Sequence, residues 1–304
     1  MRKALALSFL SIFLAGLCYG GDISERAGTY GLSFLKVGMG ARPVGMGEAF
    51  TAISGDINSI YWNPAGLARI EGIDLTFMHN RWFQEISSNY LATAFKIRKN
   101  SIGISLALNR VPDIEVRDRP TAEPIGTFDA EDLVLTLGCA RSLGAKFDLG
   151  ISVKGLYQKI YTYEASGLGF DIGGVYVLND KFQFGTAILN LGPKMKFEEE
   201  KFSLPLICKL GAAYKTSEKQ LNGDIILGLD LIKPRDSDLK LHSGIEYNYD
   251  EILSLRIGYQ SGYDDKSFSF GMGLGYERYK VDYAFVPFSS DLGNTHRISL
   301  EIKM

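Results

Sequence analysis

From Ile73 onward, apolar residues alternate with small or polar ones in segments of about ten, the period of a β-strand with one apolar face. In 101–109, Ile102, Ile104, Leu106 and Leu108 take one face, while Ser101, Gly103, Ser105, Ala107 and Asn109 take the other. The phase recurs in Leu253, Leu255, Ile257 and Tyr259, in Phe268, Phe270, Met272, Leu274 and Tyr276, and in Ile298, Leu300, Ile302 and Met304. No charge falls on the apolar face of these four segments. The pattern predicts fourteen strands, beginning near Ile73, Ser88, Ser101, Asp132, Phe147, Leu168, Phe182, Leu204, Asn222, Leu239, Ile252, Phe268, Lys280 and Thr295.

Soluble sandwiches alternate too, so the connections carry the distinction. Short turns are expected at 99–100, 142–146, 179–181, 216–220, 250–251 and around Arg278, with longer links between them, above all 111–130, 190–203 and 287–294. An even strand number with short turns on one rim and long loops on the other describes an outer-membrane barrel with both ends on the periplasmic side. The 20 residues at the start resemble a secretory signal: Arg2 and Lys3, an apolar stretch over 4–17, then small residues. Leu17 before Cys18 does not suit a lipid-attachment site. No other run of about 18 apolar residues is present, so a membrane protein of this sequence is a barrel. A soluble exported β-protein is the remaining alternative.

With 46% hydrophobic residues the chain is not disordered, and 33 basic against 35 acidic residues leave no basic surface for nucleic acid. Tyrosines and phenylalanines near the strand ends, among them Tyr161, Tyr163, Tyr249, Tyr259, Tyr263, Tyr276 and Tyr279, suit a bilayer interface, although aromatics also favour strands in general. Cys139 and Cys208 fall in mid-strand and are expected to be unpaired.

The inward face is rich in Gly and Ala and carries Asp132, Lys154, Asp171, Lys209, Asp224, Asp230, Glu246, Arg256 and Glu301. Small inward residues either let a plug or ligand approach the wall or relieve crowding in a narrow barrel. Residues 28–70 do not alternate, and 21–70 is expected to form a compact, partly helical segment. Its glycines Gly38, Gly40, Gly45 and Gly47 lack dinucleotide-loop spacing, and Pro43 interrupts them. Pro64 keeps Asn63 out of helix, and Gly66 permits a turn, so 63–66 is a fixed bend.

The run Gly40-Ala41-Arg42-Pro43-Val44-Gly45-Met46-Gly47-Glu48-Ala49-Phe50, followed by Ile60-Tyr61-Trp62-Asn63-Pro64-Ala65-Gly66-Leu67, resembles the N-terminal signature of the PorV/PorQ family. The closing stretch 291–300 is also similar. The resemblance implies kinship with FadL-like outer-membrane transporters, whose fourteen-stranded barrels carry an N-terminal hatch. It marks Gly40, Ala41, Arg42, Gly45, Met46, Gly47, Trp62, Asn63, Pro64, Ala65, Gly66 and Leu67 as a structural hatch motif, and it implies no ligand residues. FadL-like members pass hydrophobic compounds, whereas PorV-like members serve type IX secretion by carrying exported cargo.

Only His79, His242 and His296 are available for acid–base work, and His242 and Ser243 are not a dyad because strand neighbours point oppositely. No nucleophile elbow and no H-E-x-x-H motif occurs. We therefore expect an all-β protein, with residues 1–20 as signal, 21–70 as hatch and 71–304 as an antiparallel barrel of about fourteen strands. It is expected to have no enzymatic activity, cofactor or metal. Its expected place is the outer membrane, in contact with lipid, passing or binding hydrophobic molecules. The alternative partner is an exported cargo protein or another secretion component.

Overall fold

The computed structural model of the protein describes residues 31–120, 123–218, 222–289 and 293–304; the expected signal and the start of the expected hatch lie outside them, as do Asp291 and Leu292. Fourteen strands close into one antiparallel barrel. They are β1 (Ile73–Arg81), β2 (Ser87–Ile97), β3 (Asn100–Val116), β4 (Gly126–Leu143), β5 (Phe147–Ile160), β6 (Tyr163–Val177), β7 (Phe182–Leu191), β10 (Ile207–Glu218), β11 (Gly223–Pro234), β12 (Lys240–Tyr249), β13 (Leu253–Ser261), β14 (Phe268–Tyr276), β15 (Tyr279–Pro287) and β16 (Asn294–Lys303). A separate hairpin, β8 (Met195–Phe197) with β9 (Glu200–Phe202), stands between β7 and β10. Closure is made by β1 on β16, with Phe77 opposite Leu300, so no edge is left unpaired.

Burial is inverted relative to a soluble protein. Ile151 is 58% exposed while its neighbour Ser152 is 2% exposed, and Ile257 is 55% exposed beside Arg256 at 2%. Leu137, Ile172, Leu229, Leu274 and Ile298 extend this apolar outer wall, whose natural solvent is lipid. Tyr161, Tyr163, Tyr249, Tyr259, Tyr276 and Tyr279 are exposed at or near strand ends. Cys139 and Cys208 are both free.

One rim carries Ile73 and Lys303, and its turns are two to four residues long; the other rim has links of five to fifteen residues, apart from the two-residue turn at 161–162. We call these the terminal and distal rims. The link expected over 111–130 is shorter than the alternation suggested, because β3 and β4 continue pairing to Val116 and Gly126. Alternation is lost there because strands standing beyond the apolar band have no buried-versus-lipid contrast to mark. A bulge between Val111 and Ile114 accommodates Pro112, which has no N–H for the ladder. For the same reason β6 starts at Tyr163 rather than near Leu168.

The lumen is filled by the chain's own N-terminal segment. It contains α1 (Ala41–Gly45), α2 (Ser59–Trp62) and 3-10 turns over Ser33–Lys36 and Pro64–Arg69. Met46, Phe50, Ile57, Ile60 and Leu67 are all fully buried. The chain traces the inside of the wall, and where it passes, the wall is glycine. Gly271 faces Gly45, Gly258 faces Gly47, Gly244 faces Met46, Gly228 faces Ala49, and Gly211 and Gly185 face Thr51 and Ala52. Gly173 and Gly150 face the bend at 63–65, and Gly138 and Gly103 face Ile60 and Leu67. Ten strands thus each offer one glycine to the same segment. The small inward residues admit a plug, and the plug is part of the same chain.

Candidate functional site

The residues of the sequence motif come together inside the barrel, where they anchor the segment to the wall. The main-chain N–H groups of Gly40, Ala41 and Gly47 reach Met78 Sδ at 3.1 Å, Ser299 Oγ at 2.9 Å and Ser269 Oγ at 3.0 Å. Gly47 has a positive φ of 63°, and a side chain there would strike the backbone of β12 and β13, so glycine is required twice over. Asn63 caps the turn that follows it by accepting from Ala65 N–H at 3.1 Å, and its amide donates to Thr51 O at 2.7 Å and Gly174 O at 3.3 Å. Pro64 opens that turn, where a missing N–H costs nothing, and Gly66 sits against Ser59. Trp62 donates to Met39 O at 2.9 Å.

Arg42 is the electrostatic centre of this anchoring. Its guanidinium donates to both carboxylate oxygens of Glu246 at 2.9 and 2.5 Å and to Asp56 at 2.6 Å. Glu246 also pairs with Arg256, which reaches Asp282 at 2.6 Å. Two guanidinium groups therefore meet three carboxylates in a water-poor interior, and Glu246 is shared between them. Burial would push the Asp56 carboxyl up, but Arg42 and the two donors of Asn58 outweigh it and hold it below its ordinary value. Closer to the terminal rim, Arg69 binds Asp148 at 2.5 Å.

Towards the distal rim the packing opens into a cavity of about 290 Å³. Its apolar side includes Leu189, Ile207 and Ile232, a small cluster of its own. Its charged side holds Lys36, Lys209, Lys240 and Lys266 against only Glu48 and Asp236. Lys36 pairs with Asp236 at 2.7 Å, and Lys266 lies 3.5 Å from Glu48. Burial would raise the Glu48 carboxyl, but the electrostatics of Lys266, His242, Arg297 and Lys209 outweigh it and hold it at about 2. Lys240 lies 3.5 Å from the ring centre of Tyr263, and Lys209 lies 4.3 Å from that of Trp62. Tyr263, expected in the interface belt, instead turns inward and hydrogen-bonds His242 at 3.1 Å.

Of the inward charges read from the alternation, Lys154, Asp171, Lys209, Asp230, Glu246, Arg256 and Glu301 are buried, whereas Asp132 and Asp224 remain partly exposed. Alternation placed Lys209 and His242 on the lumen side. It could not find Lys36, Glu48, Asp236 or Lys266, which lie on irregular chain. Among the described residues no group of His, Cys, Asp and Glu is arranged to hold a metal.

The family model described as type IX secretion system protein PorV matches residues 22–233, more than half of the chain. The chain belongs to the PorV family. No curated protein matches it. Among solved structures, the Ralstonia pickettii toluene transporter TbuX is similar at 13% identity, covering 88% of this chain and 98% of its own with a TM-score of 0.64. The Pseudomonas putida toluene transporter TodX is similar at 13% identity over 87% and 96%, TM-score 0.63. A Pseudomonas aeruginosa FadL homologue is similar at 10% identity over 87% and 98%, TM-score 0.56. At such identities the likeness shows a shared fold: this PorV family member is an outer-membrane barrel of FadL-like architecture.

Proposed function

We propose that this protein is a secretion accessory, which holds exported proteins at the distal face of its barrel. One observation carries the reading: the lumen is filled by a stitched-in segment, while a cavity opens at the distal end and is walled by charge. A surface built this way suits binding more than free passage, and membership of a secretion family supports it. In this reading residues 1–20 are removed on export, 21–70 form the hatch, 71–304 form the barrel, and the distal rim faces the outside.

The test is native mass spectrometry of the protein extracted mildly from its own membrane. A bound exported protein is expected; a bound lipid or hydrocarbon alone would overturn the reading in favour of transport. Deleting loop 117–125 should impair cargo release while leaving uptake unchanged. A second reading, passage of hydrophobic molecules, draws on the apolar patch of Leu189, Ile207 and Ile232 in the cavity. There, displacement of the bend at 63–66 would open the path, and Pro64→Ala should raise leakage through the barrel.

A further inference from the structure

The turns of the terminal rim are not alike. Those at 98–99, 144–146 and 178–181 carry Arg98, Lys99, Lys146 and Lys181, all exposed, and they join β2 to β7, which stand side by side in the barrel, so the cations form one arc. With strands about 4.8 Å apart, successive turns lie roughly 10 Å from each other. The acids on this side are Glu71 and Asp180, yet among the described residues none of the four cations has an ion pair; Lys146 donates to Leu178 O at 3.3 Å. Across the mouth the sign reverses: the turns there carry Asp250, Glu251 and Glu277, and Arg278 lies on the ring of Tyr279.

A fifth cation shows what the arc faces. Arg141 on β4 shares its outward face with Leu135, Leu137, Cys139 and Leu143, and its partner on β5 is Leu149. Leu143, nearer the rim, is itself exposed, so Arg141 stands within the apolar wall and not beyond it. Its side chain is exposed and has no ion pair among the described residues. A guanidinium on a lipid-facing wall is tolerated near the interface, where its stem lies along apolar surface and its head reaches the headgroups. Ile97, Phe147 and Leu178 are exposed beside the turn cations, which sets these at the same level.

We propose that this arc is a docking surface for anionic phospholipid of the leaflet at the terminal rim. The phosphate sits on Arg141, whose planar donors suit it, with Arg98 and Lys99 of the next turn completing the charge, and the acyl chains lie along Leu137 and Leu149. A zwitterionic headgroup brings its own cation into a row of cations and is held less well, whereas a glycerol headgroup brings none. The surface lies outside the lumen and away from the distal cavity, so it is independent of the secretion reading.

The experiment offers the full protein in detergent an equal mixture of phosphatidylglycerol and phosphatidylcholine with the same acyl chains, and native mass spectrometry counts what is retained. Phosphatidylglycerol is expected to be preferred by about fivefold or more. Replacing Arg98, Lys99 and Arg141 together by Gln is expected to bring the two lipids to parity. The same loss of charge elsewhere, by Arg119→Gln, Lys159→Gln and Arg278→Gln together, is expected to leave the preference in place. Arg141→Gln alone should at least halve the preference and Arg141→Lys should restore part of it; should the triple variant fail to show heat-modified gel migration, this pair carries the test. Equal retention of both lipids by the unaltered protein, a preference that survives removal of the arc, or an equal loss in the control variant would overturn the proposal. Displacement of the retained lipid by millimolar glycerol phosphate would also overturn it, because the arc would then be a site for a soluble phosphate and not for a lipid.

Discussion

The two ends of the lumen solve the same problem differently. Near the terminal rim, charges on plug and wall are matched: Arg42 grips Glu246 and Asp56, Arg256 completes Glu246 and Asp282, and Arg69 closes on Asp148. At the distal end the lysines outnumber the acids, and Lys209 and Lys240 rest on aromatic faces instead of carboxylates. A buried network of linked ion pairs favours one arrangement. The cavity wall holds no such network. The plug is thus tied down from the terminal side, whereas the distal end keeps open space beside it.

The sharpest way to break this comparison is Arg42→Leu. It strips a buried cation from two carboxylates, and the expected loss is about 3–5 kcal/mol of stability, whereas Lys36→Met, which removes the more exposed distal pair with Asp236, should cost about 1 kcal/mol or less. Unfolding temperatures of the detergent-solubilised barrel, read by loss of heat-modified migration, compare the two; equal losses would erase the distinction. Next in size is Gly244→Val, whose side chain would run into the Met46 carbonyl, at an expected cost of about 1–3 kcal/mol and with increased ion leak as the plug is pushed from the wall. Asn63→Ala unties the bend from Thr51 and Gly174 and should cost about 1–2 kcal/mol in the same assay.

Acid supplies the smallest effect over most of its range. Glu48 is held at about 2, below its ordinary 4.5, so its contribution is fully present above pH 4.5 and is lost only as pH falls towards 2. Asp56 is also held low by Arg42, so both ends should stay intact from pH 7 to about 4.5 and loosen together below it. Tryptophan emission followed through an acid titration checks this, and loosening already at pH 5 to 6 would contradict it.

Much of the barrel was legible because lipid imposes a simple rule on a strand: every second residue is apolar, and the charges fall between. Segments such as 253–260 and 268–276 carry that rule without interruption, so their faces were read correctly down to Arg256 and Ser269. The rule fails where neither face meets lipid, which is why Gly126 and Tyr163 were placed too late. It also fails on irregular chain, and the site depends on such chain. Glu48, Lys36 and Lys266 have neighbours in space that no spacing in sequence announces, and Tyr263 carries the pattern of an interface residue because a tyrosine near a strand end looks the same from either side.

Strand count, the inward and outward faces and the bend at 63–66 are each set by residues close in the chain, so the amino-acid order is enough to read them. The role of the inward glycines and the division of the lumen into a locked end and an open one arise only once the barrel closes. A glycine records that something comes near; it takes the closed barrel to bring Gly47 against Gly258 or Arg42 against Glu246, and these lie some two hundred residues apart. Charge balance inside the lumen is likewise a property of the assembled wall and plug, since Glu48 of the plug and Lys266 of a distal link meet only in the closed barrel.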